Sequence, residues 1–209
     1  PIQLTIDRLK NKYSNELNNK NSKNFEENLK IINNQIKQIE KLVNEFSDFA
    51  RMPKPIFNKN DLVLLINDNI QLLRELDSTI DISFSKNQDK VFINSDKEQI
   101  SRVFFNLIKN SIESIQQKSE KKHDFSKKIS IELIDCNDHI SISIDDTGVG
   151  FDKIKSNIKD ILNPYFTTKK NGTGLGLSIV NKIINDHNGS IDFIPIEYGA
   201  KVKIIFSKI

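Results

Sequence analysis

The sequence has a single cysteine, Cys136, so neither an internal disulfide nor a cysteine-based metal cluster is open to it, and a reducing cytoplasm is its expected compartment. In a strand-like segment such a residue reads as a small buried side chain. No run of about 18 apolar residues occurs, which excludes a transmembrane helix within the chain. No signal peptide is present, and the chain opens on Pro1 instead of methionine, as a piece excised from something longer would. An excess of one charge is also missing. The 31 basic and 28 acidic residues nearly cancel, leaving +3, without the strongly basic balance that nucleic-acid binding requires. What is there, 37% hydrophobic and 28% charged residues over 209 positions, fits a soluble globular protein with room for one ordinary domain and a smaller one.

Two regions follow different periods. From Phe25, apolar residues recur at Leu29, Ile32, Ile36, Ile39, Val43, Phe46 and Ala50, the alternating steps of a coiled-coil seam. Ile2, Ile6, Leu9, Tyr13 and Leu17 step likewise ahead of a polar stretch from Asn18 to Asn24. A helical hairpin is expected, with its turn near residues 21 and 22. Two helices alone bury too little, so the seam is expected to continue across a twofold axis into a four-helix bundle, the alternative being a hairpin packed only on its own second domain. Pro53 and Pro55 end the second helix, because proline cannot donate its amide and pushes its predecessor toward extended geometry. Domains are therefore expected at 1–52 and 61–209, with 53–60 as the linker.

Beyond the linker the pattern mixes helix and strand. A helix is expected from Asp61 to about Leu76, strands at Ile80 to Ser85 and Val91 to Asn94, and a helix capped by Ser95 or Asp96 that runs to about Gln117. Ser119 to Lys128 reads as a solvated Lys-rich loop. Strict alternation at Ile129, Ile131, Leu133 and at Ile140, Ile142, Ile144 marks neighbouring antiparallel strands with one face covered. Leu177, Ile179, Val180, Ile183 and Ile184 describe a helix stopped at Asn188-Gly189, and Ile191 to Ile194 and Val202 to Phe206 supply the last strands. The fold class is α+β: a helical hairpin followed by an α/β sandwich, a mixed sheet with helices on one face.

Four short segments stand in this second region in a fixed order. Asn106 and Asn110 are four apart on a helix, hence on one face, and their amide oxygens are neutral hard ligands suited to Mg²⁺ shared with phosphate oxygens. Asp146 ends an alternating strand and is followed by Gly148 and Gly150, so an acceptor-only carboxylate sits where the backbone approaches a flat ligand closely; it suits an exocyclic amine such as that of adenine. Phe166, Thr167, Thr168 and Lys169 come next, with Lys169 available to neutralise phosphate. Gly172, Thr173, Gly174, Leu175, Gly176 and Leu177 lead into a helix whose free amides and dipole favour phosphate. A lone glycine pair between strands is usually a turn. Four segments in this order are not explained that way.

Together they resemble the N, G1, F and G2 boxes of the Bergerat (GHKL) ATP site of two-component sensor histidine kinases, a fold also used by gyrase-type topoisomerases, ninety-kilodalton heat-shock chaperones and mismatch-repair ATPases. The likeness covers about Asp61 to Ile209. It implies that Asn110 ligates Mg²⁺, that Asp146 binds adenine, and that Asn171 to Gly176 belong to a mobile ATP lid. Tyr198-Gly199-Ala200 resembles the last glycine turn of that family. Members that hydrolyse ATP carry a glutamate four residues before the Mg²⁺ asparagine, because water needs a general base to attack phosphorus. Here that place is Asn106, whose amide takes no proton, so transfer to a better nucleophile is favoured over hydrolysis. A basic residue common three positions after the second asparagine is replaced by Glu113.

The hairpin extends the resemblance. Pro1-Ile-Gln-Leu-Thr and Phe49-Ala-Arg-Met-Pro53 look like the segments flanking the dimerisation bundle of nitrogen-regulation sensor kinases, whose acceptor motif would end at Pro1 and place the phosphoacceptor histidine eight residues before this chain. No catalytic acceptor is then expected within it: His123, His139 and His187 read as surface residues. With the turn at 21 and 22, Ile2 pairs with about Lys41, the first helix rises ~27 Å against ~40 Å for the second, and Phe46 and Phe49 lack partner turns. Exposed seam residues seek cover, so the dimer is expected to be weakened or rearranged at that end. The resemblance implies the cytoplasmic catalytic part of a sensor histidine kinase, a family whose whole members include membrane-anchored sensors. Such a kinase binds ATP and Mg²⁺, forms a homodimer and passes phosphate from histidine to a response-regulator receiver domain. Neither nucleic acid nor membrane is a partner of this portion. The alternative is a nucleotide-gated dimerisation or interaction module without phosphotransfer; an ATP hydrolase is disfavoured by Asn106 and by the hairpin.

Overall fold

The computed structural model describes residues 2–13, 19–122, 124–151, 158–169 and 172–208. They fall into two compact units, Pro1–Met52 with Thr168–Thr173, and Pro53–Thr167 with Gly174–Ile209. Among the described residues no helix is long and apolar enough to cross a membrane.

The first unit is built on α1 (Ile2–Tyr13) and α2 (Asn19–Ala50). Among its described residues Ile6 and Leu29 are the buried apolar ones, and the Tyr13 and Phe25 rings meet edge to face with centroids 6.5 Å apart. The polar stretch expected to form the turn is instead helical from Asn19. Asn, Lys and Ser are indifferent helix formers, but no glycine or proline interrupts them, and weak propensity yields to continuation of a long helix. No turn therefore forms at residues 21 and 22, and α2 rises about 48 Å where ~40 Å was expected. The Tyr13–Phe25 contact sets the register, so Ile2 lies level with about Ile36 and not with Lys41. Seam residues beyond that level are open: Ile39 is 59% and Val43 56% exposed.

In the second unit, residues 53–60, expected as a linker, end in a strand, β1 (Asn58–Asp61), which pairs antiparallel with β3 (Phe92–Ser95). Asp61 then caps α3 (Leu62–Arg74), its carboxylate accepting from Val63 N at 3.0 Å, and Asp96 caps α4 (Lys97–Ser119) in the same way through Gln99 N at 3.0 Å. Both helices start where a side-chain acceptor first satisfies free amides. The main sheet runs β2 (Asp81–Lys86), β4 (Lys128–Asp135), β5 (His139–Asp146), β7 (Gly199–Ser207), β6 (Gly189–Ile196); β2 and β4 are parallel and the other pairs antiparallel.

Alternation fixes which side of that sheet is covered. Ile129, Ile131 and Leu133 on β4 pair with Asp146, Ile144 and Ile142 on β5, and this face is buried beneath α3, α4 and α5 (Gly176–Asp186). From α4 come Ile100, Val103, Phe104, Leu107, Ile108, Ile112 and Ile115, the three- and four-residue spacing of a helix buried along one stripe. Helix α5 adds Ile179, Val180, Ile183 and Ile184 and stops where Asn188 takes φ 56°, the left-handed geometry that asparagine tolerates. One-face burial of a mixed sheet is the sandwich read from the sequence. It brings the end of β5, the middle of α4 and the start of α5 to one side of the molecule.

Candidate functional site

Asp146 is the last residue of β5, and the parity that buries Ile142 and Ile144 turns it toward the helices, where it is 6% exposed. Burial pushes its carboxyl up to about 6, although Gly148 N, the Ser111 hydroxyl, Ala200 N and the Lys118 charge all favour the ionised form. The Gly148 N bond is 2.8 Å. Gly148 itself leaves no room for a side chain: a Cβ there would collide with the Ser114 hydroxyl and stand 2.8 Å from Asp146 Oδ1. Ser114 Oγ in turn accepts from Val149 N at 3.0 Å, fixing the turn that carries Gly148 and Gly150. The result is a buried acceptor beside a turn fixed by Ser114, chemistry that suits an exocyclic amine.

Helix α4 passes next to this turn with Asn106 and Asn110 one turn apart on the same side, both half-buried. Asn106 Nδ2 donates to Arg102 O at 2.8 Å, which leaves its amide oxygen on the other side of the group. That oxygen is 3.4 Å from where a Cβ on Gly176 would be. Gly176 opens α5, whose N-cap residue Leu175 makes no side-chain capping bond, and helix N-termini favour anions. The half-buried Gly176 and Leu177 form the first turn of α5, and the buried Leu175 precedes it.

The expected lid, Asn171 to Gly176, and the segment before it divide between the units. Phe166, Thr167 and Gly174 belong to the second; Thr168, Lys169, Gly172 and Thr173 group with the first, where Gly172 N donates to Lys169 O at 3.2 Å and the Thr173 hydroxyl donates to the Glu45 carboxylate. Asn171 lies outside the described residues. Gly174 has φ 72° and its carbonyl accepts from Tyr165 N at 3.0 Å. A Cβ at Gly174 would stand 2.7 Å from Tyr165 Cα, so its lack of a side chain serves the closure of this loop on itself.

Four residues of this region were not found from the sequence. Ser111, Ser114 and Lys118 reach the Asp146 turn only because α4 crosses β5, a contact more than thirty positions apart for Ser111 and Ser114 and twenty-eight for Lys118. Their spacing on the helix, three and four from one another, was the available sign. His187, expected at the surface, is 8% exposed instead. Its Nε2 accepts from Asp96 N at 3.0 Å, so Nδ1 carries the proton and donates to Ile183 O at 2.8 Å, while the Phe57 ring lies 5.1 Å away. An imidazole bonded on both nitrogens at a helix end is a structural joint. His139 is half-buried and meets Asp138 at 2.7 Å; His123 lies outside the described residues.

Residues 95–208 match the family described as histidine kinase-, DNA gyrase B-, and HSP90-like ATPases. A putative NtrY-like sensor histidine kinase of Rickettsia felis is 35% identical over 99% of this chain and 33% of its own length. The nitrogen regulation protein NtrY of Azorhizobium caulinodans is 31% identical over 98% of this chain and 26% of its length. The chain thus spans about a third or less of these curated relatives. Among solved structures, the nucleotide-free catalytic domain of histidine kinase ThkA superposes with TM-score 0.63 at 29% identity, covering 73% of this chain and 96% of that one. ThkA in complex with response regulator protein TrrA shares the fold, with TM-score 0.71 at 23% identity over 98% of this chain and 57% of that one.

Proposed function

This chain belongs to the family of histidine kinase-, DNA gyrase B-, and HSP90-like ATPases, and from that premise we propose that it binds Mg-ATP and donates the γ-phosphoryl group to a histidine on a separate segment or chain, for relay to a response-regulator aspartate. The observation that carries the reading is Asn106. It stands where the hydrolysing members keep a general base, and its amide is committed to Arg102 O on one side and open toward the α5 N-terminus on the other. An amide in that place orients phosphate oxygens but takes no proton from water. An imidazole nitrogen needs no such base, because it is already nucleophilic when neutral.

The remaining roles follow from chemistry. The Asp146 carboxylate accepts from the adenine amine, and the close approach of Gly148 to Ser114 holds the turn beside it. The uncapped amides of α5 take the phosphates. Asn110 is the residue that would hold Mg²⁺ through its amide oxygen, and the ion would supply charge neutralisation at the phosphates. Thr167, Thr168 and Lys169 come from the segment before the lid, with Lys169 contributing positive charge. The uncovered α2 seam at Ile39, Val43 and Phe46 supports a homodimer formed through the hairpin.

The test is to incubate the chain with γ-labelled ATP and a separate polypeptide bearing an acceptor helix of the nitrogen-regulation type. Acid-labile label on the acceptor histidine is expected. ATP binding without any label on that histidine would overturn phosphotransfer and leave a nucleotide-gated interaction module.

A further inference from the structure

We propose that Lys118 is a positioning residue for adenine recognition, an internal cation that holds two turns at the spacing which aims Asp146. The side chain leaves the last turn of α4 and its Nζ donates to Thr147 O at 2.6 Å, Gly148 O at 2.9 Å and Tyr198 O at 3.1 Å. The Phe125 ring lies 4.9 Å from the same ammonium. All three donor positions of an ammonium are therefore taken by backbone carbonyls, and an aromatic face covers it.

Those carbonyls come from the turn that supplies an amide to the Asp146 carboxylate and from the turn that leads into its strand partner β7. Thr147 and Gly148 form the turn after β5, and Gly148 N donates to Asp146 Oδ1 at 2.8 Å. Tyr198 is in the turn between β6 and β7, two residues before Ala200, which pairs with Asp146 in the sheet and gives its amide to the carboxylate. With Lys118 neutral or absent, three carbonyl dipoles point at one another without a cation between them, and the turns relax apart. The carboxylate then loses its fixed direction while remaining buried. Lys118 touches no ligand in this account; it acts through Asp146. One helix thereby does two jobs, presenting Asn106 and Asn110 near its middle and locking the adenine turn from its end.

The inference rests on the nucleotide reading of the site, so the first measurement tests that reading by itself: affinity of the parent chain for ATP against ITP, which has a carbonyl where adenine has its amine. A parent that shows no preference for ATP removes the site assignment. Given a preference, Lys118→Met, which keeps the stem and removes the charge, is expected to narrow the ATP-to-ITP ratio about tenfold while the Mg²⁺ dependence of binding is unchanged. A purely structural role would weaken both nucleotides alike and leave the ratio as it was; that result in a folded variant overturns the proposal. Lys118→Gln keeps two donors and is the fallback if the methionine variant does not fold. Its ratio is expected to lie between parent and full loss, and a ratio equal to that of the parent also overturns the proposal.

Discussion

If Asp146 accepts from the adenine amine as proposed, its raised pKa makes adenine binding pH-dependent. Burial lifts the carboxyl from 3.8 to about 6, a difference of about 3 kcal/mol in the relative stability of its two forms. An amine donor binds the ionised form, so binding below the midpoint must first release a proton. Affinity then falls by a factor of about 1 + 10^(6 − pH): roughly tenfold at pH 5 and negligibly at pH 7.5. Adenosine is the probe of choice, because it has no phosphate that titrates in this window. Calorimetry in two buffers of different ionisation enthalpy should report release of close to one proton at pH 5 and none at pH 7.5. The same shift affects folding with a definite sign. Because the folded pKa is raised, this group's stabilising contribution is fully present below about 4 and is lost as pH rises through about 6. The unliganded protein should therefore gain resistance to denaturant from this residue on acidification across that window, and Asp146→Asn should abolish both effects. Equal adenosine affinity at pH 5 and 7.5 in the parent, or an undiminished fall in Asp146→Asn, would refute the reasoning.

Other substitutions separate the parts of the site. Asn110→Ala should lose the Mg²⁺ enhancement of ATP binding while keeping metal-free affinity, as titrations with and without the ion would show. Asp146→Ala should lower ATP affinity by about 1–3 kcal/mol, since a buried base amine loses its acceptor, and should leave the affinity for ITP nearly unchanged. Gly174→Ala forces a side chain into φ 72° and against the Tyr165 backbone, so about 1–3 kcal/mol of stability should be lost in chemical denaturation. Val43→Asp places a charge on the uncovered α2 seam; sedimentation should show a shift from dimer to monomer, and an unchanged dimer would remove the seam from the interface.

Local chemistry made much of this fold legible. Asp61 and Asp96 announced two helix starts because a cap is a short-range device, and the Ile129–Leu133 and Ile140–Ile144 alternation announced the central strands because one face is covered. β1 was not legible: Asn58, Lys59, Asn60 and Asp61 have no alternation, and the strand exists only because β3 lies beside it. The hairpin turn was misjudged because composition was weighed above the absence of a helix breaker. At the site, the residues that would touch a ligand were visible as motifs, whereas those that hold them were not. Ser111, Ser114 and Lys118 become meaningful only when α4 crosses the end of β5. His187 looked like an exposed helix end because its partner, the Asp96 amide, is 91 positions away.

The central claim is that the site transfers phosphate to imidazole and does not hydrolyse ATP, and phosphate release measures this most directly. The chain alone with Mg-ATP should bind nucleotide and release almost no inorganic phosphate. With an acceptor helix added, ADP should form in step with histidine label. Sustained phosphate release from the chain alone, at a rate indifferent to the acceptor, would contradict the account.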